Sequence, residues 1–178
     1  LITGIGQGFM TASPLQLAVT TAAIANRGKL LKPQILMHTQ TKNDDAYEND
    51  KKPAIQIPIK DINNWELVIE GMKQTIYGKL GTGRKLNLDL DYTLAGKTGT
   101  AQVFGLDPEE EYIAENYEEK LRDHALFTAF APIEDPQVAI AIIVENAGSG
   151  SSKAAPIAKS LLDLYFSKKP SMLNSVTE

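Results

Sequence analysis

One stretch of this 178-residue chain combines residue types that could hold a substrate. It runs over residues 94–103 as Leu-Ala-Gly-Lys-Thr-Gly-Thr-Ala-Gln-Val, with apolar residues at both ends. Its centre, Lys97, Thr98, Gly99 and Thr100, suits a buried strand poorly, because glycine weakens strands and lysine is rarely buried without a partner. An edge strand beside a groove explains the composition. There lysine supplies positive charge, the hydroxyls and backbone N–H groups donate hydrogen bonds, and glycine leaves room for a ligand.

The same residues are also compatible with a second kind of site, the phosphate-binding P-loop. Gly96, Lys97 and Thr98 could end such a loop, but the motif needs another glycine five residues earlier, where this chain has Asp91. Gly99 is also a poor opening for the helix that follows a P-loop. A nucleotide-binding protein is therefore a remote alternative, which ATP binding would test.

Length and composition exclude several functional classes. The chain fits one domain with a sizeable core, and its 43% hydrophobic and 22% charged residues are typical of globular proteins. A net charge of −4 argues against nucleic acid as a partner. The chain has no Cys and only two His, His38 and His124, so we expect neither a metal site nor a cofactor. It also lacks an apolar run of about 18 residues that could span a membrane.

The first element expected around the Lys-Thr-Gly segment is a helix over residues 14–26. Ser13 is a suitable N-cap, Pro14 suits the first helical position, and Gln16 completes a capping box. The sequence Asn-Arg-Gly at 26–28 predicts the C-terminal end. Apolar residues recur at helical spacing and predict a buried central helix: Leu15, Ala18, Val19, Ala22 and Ala23.

A second helix is predicted from Asn63 to Gly78, with Glu66 completing a capping box. Its expected core stripe is Trp65, Val68, Ile69, Met72 and Ile76. Before it, residues 30–36 predict a short extended edge around Pro33, and the polar residues 39–64 predict a surface excursion. Further on, a helix with an acidic first turn is expected to begin at Asp107.

Three strands and a final helix complete the prediction. The strands cover residues 92–103, 125–131 and 138–144, and the short connection at 132–137 makes the last two an antiparallel hairpin. The final helix carries an apolar stripe of Ala154, Ile157, Ala158, Leu161, Leu164 and Tyr165. This order of elements predicts an α+β layer.

The motif and the element order together resemble the class B penicillin-binding proteins, in which a Lys-Thr-Gly strand borders the active site. Three further segments share the likeness: the Gly-Ile-Gly-Gln-Gly run at 4–8, the Thr-Ala-Ser-Pro-Leu-Gln-Leu-Ala helix start at 11–18, and Leu-Arg-Asp-His at 121–124. The last of these is similar to members that serve cell elongation in Gram-negative bacteria. The resemblance covers roughly residues 4–166.

The resemblance implies a β-lactamase/transpeptidase-like α+β fold, an antiparallel sheet flanked by helices. This chain would supply the last three strands and the C-terminal helix. Residues 1–167 would form the C-terminal part of one transpeptidase domain, followed by a flexible tail at 168–178.

The resemblance also implies a function. The family are peptidoglycan D,D-transpeptidases that cross-link stem peptides through an acyl-enzyme and bind penicillin. Lys97 would face the family's Ser-x-Asn motif and raise the local positive potential. Thr98 and Thr100 would hold a carboxylate, Gly99 would keep the strand clear, and the Thr100 N–H would be one oxyanion donor. Because side chains alternate along a strand, Lys97 and Thr98 are expected on opposite faces.

One departure from the family limits what this chain can do by itself. None of its eight serines is followed by Lys three residues later or by Asn two residues later. The family's nucleophile and base are therefore absent from this chain. In the family both motifs lie upstream of the segment that matches Leu1, so the resemblance implies that the catalytic serine lies elsewhere and that the fragment alone is inactive. A non-catalytic interaction module on a degenerate transpeptidase fold remains the alternative.

The family implies a location and partners as well. The location would be the periplasmic face of the bacterial inner membrane. The partners would be stem peptides, β-lactams, the missing upstream half of the domain, and a glycan-polymerising membrane protein of the elongation complex.

Overall fold

The computed structural model describes residues 10–35, 38–40, 46–48, 53–103 and 117–167. Within these ranges, three α-helices, α1 (Pro14–Ala25), α2 (Asn63–Tyr77) and α3 (Ala154–Ser167), accompany seven strands. Three predictions lie outside the described residues: the glycine-rich segment at 4–8, the acidic helix from Asp107 and the flexible tail at 168–178.

The central sheet contains the three strands that the sequence predicts. They are β5 (Ala95–Ala101), β6 (His124–Ala131) and β7 (Val138–Val144), arranged in the order β5-β6-β7 with both pairs antiparallel. The observed bounds of β6 and β7 match the prediction within one residue. β5 is shorter than predicted, because residues 92–94 lie in a bend and a loop before it.

Helices cover the two faces of this sheet. Helices α1 and α2 pack on one face, where Ala25, Ile69, Met72, Ala95 and Phe130 share a cluster. Helix α3 packs on the opposite face, against a cluster that includes Phe127, Ala129, Ala155, Ala158 and Leu162. The two layers leave the outer side of β5 as one edge of the sheet in the part of the chain that the structure describes.

Helix α1 begins as its sequence predicts. The Ser13 hydroxyl accepts a hydrogen bond from the Gln16 N–H, and the Gln16 side chain accepts from the Ser13 N–H at 2.8 Å. The predicted buried face is wrong in part, because Leu15 is 60% exposed and the buried residues are Thr21, Ala23 and Ala25. Periodicity shows which side of a helix is apolar, but it does not show which turns of that side are covered by another element.

Helix α2 ends at Gly78 as predicted but begins differently. Asn63 is the first helical residue, so the predicted capping box with Glu66 is wrong. The Asp61 carboxylate instead accepts from the Asn63 N–H at 2.9 Å, and Glu66 pairs with Arg27 beyond the end of α1. Of the predicted stripe, Ile69, Met72 and Ile76 are buried, Trp65 is partly buried and packs over Gly28, and Val68 is 46% exposed.

Helix α3 contains the whole predicted stripe, but most of that stripe lies on the side that faces away from the sheet. The buried residues are Ala154, Ala155, Ala158 and Leu162. Four predicted stripe residues are 40–48% exposed: Ile157, Leu161, Leu164 and Tyr165. The helix is apolar on two sides, and the side with small residues packs on the sheet because it allows close approach.

The predicted surface excursion between α1 and α2 is extended and partly paired. Strand β1 (Lys29–Leu30) pairs with β4 (Ile55–Gln56), and β2 (His38–Gln40) pairs with β3 (Ala46–Glu48), both antiparallel. No helix in the described ranges is long and apolar enough to cross a membrane.

Candidate active site

The four predicted site residues lie together on the C-terminal half of β5. In the antiparallel register Lys97 is opposite Thr128, and Gly99 is opposite Leu126. Lys97 and Thr100 are exposed, whereas Thr98 and Gly99 are partly buried. The strand therefore presents a lysine, two threonines and a glycine along an open edge, as the sequence predicts.

Lys97 extends over the face of the sheet that α1 and α2 cover. Its ammonium group donates to the backbone oxygen of Thr98 at 2.6 Å. With Thr128 it lines a largely apolar groove of about 490 Å³ between the two helices, whose walls include Leu17, Thr20, Ile24, Val68, Gly71, Met72 and Thr75. The apolar groove therefore ends beside the positive charge of Lys97.

Thr98 contacts the loop that follows α2. We call residues 78–83 the glycine loop, since it contains Gly78, Gly81 and Gly83. The Thr98 hydroxyl lies 2.8 Å from the hydroxyl of Thr82 in this loop. A cleft of about 500 Å³ beside the loop is lined by Thr82 and also by Lys97. The site therefore continues around the edge of β5.

Gly99 is approached closely by the chain that leads into α3. A Cβ atom on Gly150 would lie 2.2 Å from the backbone oxygen of Leu126 and 2.5 Å from that of Gly99. Only glycine allows this approach, because real Cβ contacts with backbone atoms do not occur below 3.0 Å. The backbone at Gly99 is thus supported from the α3 side.

The register places Lys97 and Thr98 on opposite faces of β5. Thr128, opposite Lys97, lines the groove between α1 and α2, whereas Phe127, opposite Thr98, belongs to the α3 cluster. β5 is an edge strand in the described sheet, so a cleft can pass around its open side. The cleft beside the glycine loop is lined by Lys97 and by Thr82, and Thr82 contacts Thr98. The cleft therefore connects the two faces of β5 on which Lys97 and Thr98 lie.

The segment before β6 fixes the end of β5. Asp123 is 4% exposed, and its carboxylate accepts a hydrogen bond from the backbone N–H of Val103. Burial raises the pKa of Asp123, and the Val103 bond and the nearby His124 oppose this change. The Asn146 side-chain amide donates to the backbone oxygen of Arg122 at 3.0 Å, and the Asn146 backbone N–H donates to His124 Nδ1 at 3.0 Å. This network holds the 121–124 segment against the sheet.

The described serines are bonded in ways that suit structural roles. Ser13 caps α1, and the hydroxyls of Ser149 and Ser151 lie 2.9 Å apart. Ser160 and Ser167 donate to backbone oxygens of their own helix. These contacts give the described serines structural roles, and the position of the nucleophile stays a prediction.

The structure removes the P-loop alternative. Gly96, Lys97 and Thr98 all lie within β5, which continues to Ala101 where a P-loop would begin its helix. In the described ranges, no group of three or more His, Asp or Glu side chains could hold a metal ion.

The three-stranded antiparallel sheet, its covering helices and the Lys-Thr-Gly edge strand match the arrangement that the family resemblance implies. The family model described as "Penicillin binding protein transpeptidase domain" matches residues 1–163, and the chain belongs to this family. The predicted α+β transpeptidase fold is confirmed.

Individual relatives point to one branch of the family. Peptidoglycan D,D-transpeptidase MrdA of Haemophilus influenzae is 41% identical over 93% of this chain. The structure of Pseudomonas aeruginosa PBP2 in complex with WCK 5153 has a TM-score of 0.73 and 40% identity, and the match covers 92% of this chain and 32% of that one. The complex of PBP2 and MreC from Helicobacter pylori has a TM-score of 0.73 and 33% identity, over 94% of this chain and 27% of that one. The predicted similarity to Gram-negative members of the family is thus confirmed, and the two solved relatives are PBP2 proteins.

The chain spans 25% of the Haemophilus relative's length.

Sequence reasoning missed two residues that contact the site. Thr82 and Gly150 reach β5 from positions 16 and about 50 residues away in the chain. The signals available were the alternating Gly-Thr-Gly at 81–83 and the Gly-Ser-Gly at 148–150, which indicated tight loops but not their neighbours.

Proposed function

We propose that this chain is the C-terminal part of a peptidoglycan D,D-transpeptidase domain whose catalytic serine lies on another part of the same polypeptide. The observation that carries the proposal is the edge position of β5, which presents Lys97, Thr98, Gly99 and Thr100 in the family's order. The name of the Haemophilus relative supports the reaction.

In this reaction a serine hydroxyl adds to a stem-peptide carbonyl carbon and gives its proton to a base. The carbonyl oxygen becomes an oxyanion, the peptide C–N bond breaks, and the amine leaves with a proton. A second stem peptide's amine then attacks the ester and restores the serine. The cross-link forms without net oxidation or hydrolysis.

The role of this chain is to hold the substrate and stabilise the oxyanion. The Thr100 N–H would donate to the oxyanion, and a donor of this kind typically contributes a factor of about 10²–10³ in rate. The Thr98 and Thr100 hydroxyls would hold the substrate carboxylate, and Lys97 would strengthen the positive field there. Gly99 would leave the backbone open to the acyl group.

β-Lactams would be the second class of ligand. Their ring amide presents a carbonyl to the same serine and a carboxylate to the same threonine hydroxyls. The amine released from the ring stays tethered to the acyl group, so the ester persists. Penicillin labelling therefore reports on the complete site.

The upstream part of the domain would complete the fold around these residues. The apolar groove between α1 and α2 and the exposed α3 residues Ile157, Leu161 and Leu164 are surfaces of the size and character that a domain buries. The chain corresponds to 25% of the relative's length. This supports the proposal that another part of the same polypeptide covers these surfaces.

We also propose the periplasmic face of the bacterial inner membrane as the location. A glycan-polymerising membrane protein of the elongation complex would be a partner, because a transpeptidase needs newly made strands. The Helicobacter PBP2 was solved in complex with MreC, which supports a protein partner for this chain as well. Crosslinking in growing cells followed by mass spectrometry would identify the polymerising partner, and its absence among the crosslinked proteins would reject this partner.

Covalent labelling by a fluorescent penicillin tests the main proposal. We expect the whole polypeptide to be labelled and the 1–178 chain alone to remain unlabelled. Mixing this chain with the separately made upstream half is expected to restore labelling.

Two results would overturn this. Labelling of the isolated chain would place a nucleophile among its own eight serines. A folded whole polypeptide that takes no label would favour the non-catalytic interaction module.

A further inference from the structure

The glycine loop holds Thr82 in a fixed place beside β5. Its backbone is bonded to the end of α2, with Gly78 N–H donating to Gln74 O at 2.9 Å and Gly83 N–H donating to Thr75 O at 2.9 Å. A Cβ on Gly81 would lie 2.3 Å from the Thr75 oxygen. The loop can therefore pack against α2 only with glycine at position 81. Because the loop is bonded to the end of α2, this helix end fixes the position of Thr82.

The contact that this placement creates is between two hydroxyl groups. The 2.8 Å separation of the Thr82 and Thr98 oxygens is the usual length of an O–H···O hydrogen bond. Each hydroxyl has one proton to donate and two lone pairs to accept. When Thr82 donates to Thr98, the Thr98 proton becomes available for a third group.

The cleft beside this pair is suited to an anion. Lys97 and Thr82 line it together, and the Lys97 ammonium lies 2.6 Å from the backbone oxygen of Thr98. The Thr98 hydroxyl is not part of the cleft wall but contacts Thr82, which is. A carboxylate at this end of the cleft that accepts from Thr98 would lie in the positive field of Lys97. Hydrogen bonds to charged acceptors are about twice as strong as neutral ones.

We propose that Thr82 is a positioning residue for carboxylate binding, which donates to Thr98 and so directs the Thr98 proton towards the substrate. This inference rests on the proposed transpeptidase function, and it adds a residue from outside the Lys-Thr-Gly motif. Thr82 acts through Thr98 and need not touch the carbonyl that reacts.

The test separates binding from chemistry in the whole polypeptide. Stopped-flow kinetics with a fluorescent penicillin give the Kd of the non-covalent complex and the rate constant of acylation. We expect Thr82→Val to raise that Kd roughly five- to tenfold, in line with the loss of one hydrogen bond that orients a charge-assisted contact. The acylation rate constant should change less than about twofold, because the oxyanion donor is untouched.

Two matched variants complete the design. Thr82→Ser keeps the hydroxyl and should restore the wild-type Kd. Thr93→Val makes the same change at the other end of β5, where the hydroxyl accepts from the Ile133 N–H at 2.8 Å. It should lower the melting temperature without changing the Kd.

A Kd unchanged by Thr82→Val would overturn the inference, and so would a Thr82→Ser variant as weak as the valine variant. A readout without penicillin keeps this separate from the proposed function. The Thr98 methyl NMR signal should move in Thr82→Val and not in Thr82→Ser. If wild-type protein takes no penicillin but this signal moves as stated, the proposed function fails and the positioning of Thr98 stands. A signal that stays in place rejects the positioning itself.

Discussion

The two parts of β5, residues 95–96 (the first half) and residues 97–101 (the second half), have different surroundings. In the first half Ala95 is fully buried, and a Cβ on Gly96 would lie 2.7 Å from the Phe127 ring and 3.0 Å from the Thr128 oxygen. In the second half Lys97 is exposed, and among the described residues a Cβ on Gly99 would meet only the Leu126 Cβ, at 3.2 Å. One glycine makes room for the core, and the other leaves room for a ligand.

This difference explains how a short motif can carry chemistry on a stable fold. The two residues that precede the first half are held in place, since the Leu94 N–H donates to the Tyr77 hydroxyl at 3.1 Å and the Thr93 hydroxyl donates to the Glu134 carboxylate. That bond to Thr93 lowers the pKa of the Glu134 carboxyl. The second half can then remain polar and open without losing its register against β6.

The largest expected effect is the loss of acylation in Gly99→Val. A valine at this position would project into the space along the open half of β5 and block the acyl group. We expect no detectable penicillin acylation of the whole polypeptide and an unchanged circular dichroism spectrum. Normal acylation by the folded variant would contradict the claim that Gly99 leaves room for the ligand.

Gly96→Val is the matched change in the buried half. We expect it to lower the free energy of unfolding by about 3 kcal/mol, the upper end of the usual cost of overpacking a core. Urea unfolding measures the effect. Equal stabilities of the two valine variants would show that the halves of β5 do not differ in packing.

Gly150→Ala tests whether the open half is supported from behind. The added methyl would overlap the backbone oxygens of Leu126 and Gly99, so the loop or the strand must move. We expect a loss of about 2 kcal/mol in stability, together with slower acylation. Ser152→Ala, an exposed change in the same loop, should stay within about 0.5 kcal/mol of wild type. A stable Gly150→Ala variant with wild-type acylation would show that this support is unimportant.

Lys97→Ala should separate activity from stability. Lys97 is exposed and bonds within its own strand, so stability should change by less than about 0.5 kcal/mol. Acylation should slow at least tenfold, or about 1.4 kcal/mol in barrier height. Lys60→Ala, another exposed lysine, serves as the control and should acylate normally. An unchanged rate in Lys97→Ala would remove this lysine from the site.

Much of this architecture could be predicted because it depends on short-range patterns. The capping box of Ser13 and Gln16 and the runs of apolar residues in β6 and β7 are local signals. The Lys-Thr-Gly strand was found because lysine and glycine are unusual in a strand with apolar ends. Such features need no knowledge of the neighbours.

The features that sequence could not give depend on contacts between distant segments. Thr82 matters because its hydroxyl reaches Thr98, and Gly150 matters because two backbones meet there. Neither residue type indicates a partner by itself. Helix α3 shows the same limit, since it has two apolar sides and its periodicity does not choose between Ala158 and Leu161.

The smallest expected effect concerns the packed end of the sheet, behind the first half of β5. The Tyr92 hydroxyl donates to the Asp163 carboxylate at 2.8 Å, and Lys159 donates to the same carboxylate at 2.7 Å. Burial, and then this hydrogen bond and the negative charge of Asp163, raise the pKa of Tyr92 well above its usual value. The folded protein therefore favours the neutral phenol.

The sign of the pH effect follows from this shift. Below about pH 10, the usual tyrosine pKa, Tyr92 is neutral in both states and its contribution to stability is complete. As the pH rises above that value, unfolded Tyr92 ionises while folded Tyr92 does not, so stability falls. Tyr92→Phe should cost about 1 kcal/mol at pH 7, the usual value of one hydrogen bond, and should make the alkaline loss shallower. Asp163→Asn removes the charge but keeps an acceptor and the burial, which is the larger cause, so its slope should lie between wild type and Tyr92→Phe. Urea unfolding from pH 7 to 11 measures all three, and equal slopes for wild type and Tyr92→Phe would contradict the role of Tyr92 at this end of the sheet.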